Sequence, residues 1–100
     1  MRIKLSKNAS QFLRDEHRYL SQFNPRAADN VLRQLRAALR MISEYPQAGR
    51  GDGPLDGRRR YVSGDYVIDY RVTARLVEVS HVRHGRQLPP LEKDPDLEAE

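Results

Sequence analysis

The sequence predicts an α+β fold: an N-terminal strand, then an antiparallel helical hairpin, packed on a small, mainly antiparallel sheet that ends in a C-terminal three-strand meander. Three observations predict it. Apolar residues recur at helical spacing on both sides of Asn24-Pro25. A loop rich in Gly and Pro follows from Pro46 to Gly57. Beyond it, short segments of alternating polarity, divided by tight-turn sequences, run to Arg86.

Each element has a local reason. Arg2 to Leu5 alternates charged and apolar residues, the period of a strand with one buried face. Ser6 can cap a helix by accepting a first-turn amide hydrogen bond. Ala9, Phe12, Leu13, Leu20 and Phe23 then form its apolar stripe, interrupted by Glu16. Asn24 is a second cap, and Pro25 suits a first helical position, where its missing N–H has no intrahelical partner. Ala28, Val31, Leu32, Leu35, Ala38, Leu39 and Ile42 line one face of the second helix, with Arg33, Arg36 and Arg40 on another. Pro46 and Gly49 end it. So short a link makes the two helices antiparallel. Strands are expected at about 59–63, 65–72 and 75–83, joined by turns at Ser63-Gly64-Asp65 and Thr73-Ala74-Arg75. In the last strand Val82 falls out of phase with Val77 and Val79, which implies a bulge near Ser80-His81 or burial on both faces.

One hundred residues, 38% of them hydrophobic and none of them Trp, suit a single domain with a thin core. With no cysteine, the chain has no disulfide, thiolate nucleophile or cysteine-based zinc site. No apolar run approaches the roughly 20 residues that span a bilayer, and the N-terminus has no signal-peptide core, so no membrane association and a cytoplasmic location are expected. The net charge of +4 is unevenly distributed. Residues 87–100 hold five acids against one lysine, net −4, which leaves +8 on residues 1–86. The chain therefore divides into a folded domain, 1–86, and an acidic tail, 87–100, expected to be flexible. The basic body would attract an acidic protein or a polyanion. Direct nucleic-acid binding by this chain alone does not follow from charge, since solvation serves arginines equally well.

The chemistry-bearing residues cluster late in the chain. His81 and His84 stand beside Arg83 and Arg86. Imidazoles transfer protons near neutral pH and guanidiniums hold phosphates, the combination that metal-free RNA cleavage requires. Tyr70, Arg71, Arg59 and Arg60 could join them across the sheet. A plainer reading is that His84-Gly85-Arg86 closes a strand. Two histidines with no carboxylate on the same segment fall short of a metal site, and the glycine loop lacks the Gly-Lys-Ser/Thr of a phosphate loop. No metal or cofactor is expected.

The order of Asn24-Pro25, Ala28, Pro46, Gly49-Arg50, Leu55, Gly57, Arg59, Gly64-Asp65-Tyr66, Ile68, Tyr70, Val72, Val79, Val82 and His84-Gly85-Arg86 resembles the ParE/RelE superfamily of toxins. The resemblance runs from Ser6 to Arg86, and the His84-Gly85-Arg86 ending looks ParE-like. It implies the toxin of a type II toxin–antitoxin pair. ParE-like members poison DNA gyrase by binding, whereas RelE-like members cut mRNA on the ribosome and carry a tyrosine near their terminal His/Arg cluster. No tyrosine follows Tyr70 here. The resemblance thus implies a gyrase binder with no catalytic residue, forming a hetero-oligomer with a ParD-like ribbon-helix-helix antitoxin. Arg59, Arg60, Arg71, His84 and Arg86 are the target-binding candidates, and Arg33, Arg36 and Arg40 the antitoxin-binding candidates. The alternative is a RelE-like ribosome-dependent mRNA endonuclease using Tyr70, His81, Arg83, His84 and Arg86.

Overall fold

A computed structural model describes residues 1–51 and 57–86. The expectations placed on Leu55 and on the tail, 87–100, lie outside the described residues. The order of elements is β1 (Arg2–Leu5), α1 (Lys7–Ser21), α2 (Pro25–Glu44), a 3-10 turn (Pro46–Ala48), β2 (Arg58–Ser63), β3 (Tyr66–Val72) and β4 (Leu76–His84). The sheet runs β1-β4-β3-β2, with β1 parallel to β4 and the other neighbours antiparallel. The expected α+β architecture is what forms. The meander supplies three of the four strands, and the helical hairpin is the crossover that a parallel β1–β4 pair requires.

Both helix starts are capped as their sequences imply. Asn24 accepts the Ala27 amide at 3.1 Å, with Pro25 opening α2. Ser6 does more. Its hydroxyl accepts the Ala9 amide at 3.0 Å and donates to the Ser80 carbonyl at 2.6 Å, while its own amide donates to the Val79 carbonyl at 2.9 Å. One buried side chain thereby caps α1 and fixes it to β4.

The core lies between the hairpin and one sheet face. Ala9 of α1, Leu35, Ala38, Leu39 and Ile42 of α2, and Tyr66, Ile68, Tyr70, Val77, Val79 and Val82 of the sheet form one cluster. Phe23 does not join it. It sits beyond the last turn of α1, is 72% exposed, and meets Tyr19 edge-on at 5.2 Å. The helical phase that would carry it inward ends at Ser21. The out-of-phase Val82 has the expected cause. Asp69 pairs with His81 and Tyr70 with Val79, so Ser80 is an extra residue on β4. Its hydroxyl donates to the Asp69 carbonyl at 3.1 Å.

Replacing Ser6 with Ala should remove the cap and the tie to β4 together. A loss of about 1–2 kcal/mol is expected from a cap of this kind. It should appear as a lower urea midpoint at unchanged m-value.

Candidate functional site

The end of β4 carries the most distinctive side-chain constellation. Phe12 and Glu16 lie one turn apart on α1, and both face the sheet at Tyr66 and His84. Tyr66 donates to Glu16 Oε2 at 2.6 Å, and His84 Nε2 stands 3.1 Å from the same oxygen. The Tyr66 and His84 rings lie 5.0 Å apart, and Phe12 meets both edge-on. Burial, then the hydrogen bond to Glu16, raises the Tyr66 phenol well above its ordinary value, so it remains a donor at neutral pH. The half-exposed His84 imidazole is thus held by a carboxylate while its outer edge faces solvent. Gly85 donates to the Asp65 carbonyl at 2.8 Å, and His84, Gly85 and Arg86 rim a hollow of about 610 Å³ with Val62, Gly64, Asp65 and Val67.

The face of the sheet away from the helices is ionic. Asp69 is 5% exposed; it accepts Arg83 Nε at 2.7 Å, and Arg60 Nε lies 3.5 Å away. Arg71 Nη2 donates to Glu78 at 2.9 Å. His81 shares this face because it pairs with Asp69.

Tyr70 and Arg59 serve the loop. The Tyr70 hydroxyl donates to the Pro46 carbonyl at 2.7 Å and accepts the Gly49 amide at 2.8 Å. Arg59 donates to the Gly49 carbonyl at 2.7 Å and to the Gln47 side chain. A Cβ on Gly49 would stand 2.5 Å from the Tyr70 oxygen, so only glycine fits under that ring. Burial raises the Tyr70 phenol, partly offset by the Gly49 amide and Arg59.

The predicted residues therefore fall into four places. His84 and Arg86 share the hollow at the end of β4. Arg60, Arg71, His81 and Arg83 lie on the ionic face, and Arg59 and Tyr70 close the loop about 13 Å along β3 from Tyr66 at strand rise. Arg33, Arg36 and Arg40 are exposed along α2, around a hollow that includes Asp29, Leu32 and Ala37. Arg36 also borders a groove of about 650 Å³ between the helices, where Leu13 and Leu32 form the floor and Arg14, Arg18 and His17 the rim. Sequence reasoning had not assigned Glu16, Tyr66, Phe12 or this groove. The one available signal was Glu16 breaking an apolar stripe. Among the described residues, no group of three or more His, Cys, Asp or Glu side chains could hold a metal ion, and no helix is long and apolar enough to cross a membrane.

Comparison with known proteins decides the family. The model of the ParE toxin of the type II toxin–antitoxin system parDE matches residues 3–89. The chain belongs to the ParE toxin family. Curated relatives include toxins of Caulobacter vibrioides. Toxin ParE1 is 39% identical over 83 residues, 81% of this chain and 85% of that protein. Toxin RelE2 is 37% identical over 71 residues, 70% of this chain and 78% of that protein. A solved structure of the chromosomal ParDE system from P. aeruginosa shares the fold with a TM-score of 0.73 at 15% identity, covering 84% of this chain and 95% of that one. This ParE-family chain is thus similar to relatives named for both branches of the superfamily.

Two measurements check the site. Asp69→Ala strands at least one guanidinium in a buried setting, and a loss of about 3–5 kcal/mol is expected from breaking such a pair; chemical denaturation reads it directly. The raised tyrosines predict an alkaline response. Unfolded tyrosine ionises near pH ~10, while folded Tyr66 and Tyr70 hold their protons longer, so their stabilisation is complete below that pH and lost as pH climbs beyond it. Tyr66→Phe should accordingly leave the rise in 295 nm phenolate absorbance around pH ~10 unchanged. A reduced rise would show that Tyr66 ionises normally.

Proposed function

We propose that this ParE-family toxin arrests growth by binding DNA gyrase, with no chemistry of its own. The carrying observation is that the residues a metal-free nuclease would use are divided between places. The Tyr70 hydroxyl is consumed in the loop, Arg83 is held by Asp69 on one sheet face, and His84 is held by Glu16 on the other. A binding surface needs no such convergence. The hollow rimmed by His84 and Arg86 is the target-facing element of this reading, since it combines a positioned imidazole with an exposed guanidinium.

The antitoxin of this reading is ParD-like, with a ribbon-helix-helix DNA-binding part and an acidic amphipathic segment. The α1–α2 groove suits that segment, with apolar Leu13 and Leu32 within and Arg14, Arg18 and Arg36 at the rim. Arg33 and Arg40 extend the same basic surface along α2. Toxin, antitoxin and gyrase would meet in the cytoplasm.

RelE-like mRNA cleavage is the second reading, favoured by the likeness to a relative named RelE2 and by His81 on the arginine-rich face. DNA supercoiling by purified gyrase, titrated with the toxin, separates the two. Dose-dependent loss of supercoiling, relieved by antitoxin, is expected. Unaffected gyrase together with cleavage of ribosome-bound mRNA would replace the binding reading. His84→Ala should weaken gyrase inhibition in proportion to affinity; a loss of orders of magnitude in mRNA cleavage with ribosome binding intact would mark a nuclease.

A further inference from the structure

The helical hairpin gathers its arginines in one place. All four arginines of α2, Arg26, Arg33, Arg36 and Arg40, are exposed. At 3.6 residues per turn they fall within an arc of about 80°, on the flank away from the buried Ala28, Leu35, Ala38 and Ile42. They stretch along about 21 Å of helix at ~1.5 Å per residue. Arg36 also borders the groove that Arg14 and Arg18 of α1 rim, so six guanidiniums make one tract.

Little within the fold neutralises it. Two acids lie on this flank of α2: Asp29, held by His17 at 2.9 Å, and Glu44 in the last turn. On α1, Asp15 stands 3.6 Å from Arg18. Six arginines against three acids leave the tract at +3. Arg26, Arg36 and Arg40 make no hydrogen bond or ion pair among the described residues, and Arg33 donates to the neutral Asn30 side chain at 3.0 Å. Arg33 with Arg36, and Arg36 with Arg40, are like-charge neighbours three and four residues apart, a spacing that disfavours the helix when no anion is near. Folding gains nothing from the arrangement.

The flank also has little for a protein partner to grip. The hollow along it, about 410 Å³, is lined by Asp29, Arg33, Arg36 and Arg40, with Leu32 and Ala37 as its apolar part. Protein interfaces close around a desolvated core rich in aromatic and other apolar side chains. A row of exposed guanidiniums instead reads charge. Duplex DNA carries one negative charge per ~1.7 Å of axis, so a row of this length meets about a dozen of them.

We propose that this flank of α2, together with Arg14 and Arg18, binds the phosphate backbone of duplex DNA. Guanidiniums hold phosphate oxygens with paired hydrogen bonds, and contacts of this kind position a protein on the duplex without reading its sequence. Net charge does not predict such a site, because water serves scattered arginines as well; their confinement to one flank does. The inference goes beyond the gyrase reading and its test needs neither gyrase nor antitoxin, so either can fail alone.

Fluorescence anisotropy of a labelled 20-base-pair duplex, titrated with the full-length protein at about 50–300 mM salt, tests it. Affinity should fall with salt at a log–log slope of roughly −4 to −5, since each phosphate neutralised contributes about −0.9. Arg33→Gln, Arg36→Gln and Arg40→Gln together should weaken binding at least ~10-fold at low salt and make the slope shallower by about 2–3. Arg2→Gln, Lys7→Gln and Arg75→Gln remove the same charge from exposed positions elsewhere and should leave both quantities near those of the unaltered protein. Equal losses in the two variants, or none in the first, would overturn the proposal. Amide spectra of the unaltered protein titrated with the duplex give a reading that needs no variant. Shifts should cluster along residues 26–40 and at Arg14 and Arg18; shifts confined to the sheet would exclude the α2 flank. Failure to bind the duplex, with poly-glutamate or phosphatidylserine vesicles bound instead, would assign the tract to an acidic protein or a membrane surface.

Discussion

A single extra residue sets the geometry of both charged clusters in this toxin. In an unbroken β4, alternation from Val77 and Val79 would turn residues 81 and 83 toward the helices, and 82 and 84 away. Inserting Ser80 reverses the phase. Val82 then completes the core, His84 reaches Glu16 and Tyr66, and Arg83 reaches Asp69. The bulge is held from both sides: the Ser80 hydroxyl bonds the Asp69 carbonyl, and its own carbonyl accepts the Ser6 hydroxyl. Helix cap, strand phase and both charged sites therefore share one buried junction.

The fold was legible because its determinants are local. Asn24-Pro25 is a cap and first-turn pair whose geometry needs no tertiary context, and Gly64, at φ 59°, is the residue a two-residue hairpin turn demands. The bulge was legible for the same reason, as a break in alternation at Val82. The arrangement of side chains was less so. Glu16 read as an interruption of a stripe, and only long-range contacts with Tyr66 and His84 give it partners. Phe23 read as core because periodicity cannot tell where a helix stops; α1 ends two residues before it. Tyr70 and Arg59 read as site candidates because residue type alone does not disclose that a phenol and a guanidinium will close a loop.

The strand β3 shows how the same chemistry serves opposite ends. Tyr66 and Tyr70 are both buried phenols with raised proton affinity, yet they face different tasks. Tyr70 satisfies two backbone groups at Pro46 and Gly49, a role a core explains in full. Tyr66 spends its proton on a carboxylate that also holds an exposed-edge histidine. Packing alone has no need of that second arrangement, because an apolar residue at position 16 would continue the stripe of α1 without desolvating a charge.

That cost is the better guide to function in a domain with so thin a core. A 100-residue chain has only a narrow stability margin, and this one places a carboxylate at the helix–sheet seam and four arginines on the other face of β2–β4. Apolar residues at those positions would bury more favourably at lower desolvation cost. What they would forfeit is a fixed imidazole beside Arg86 and a dense, preorganised field of positive charge. Neither arrangement is one that packing alone requires.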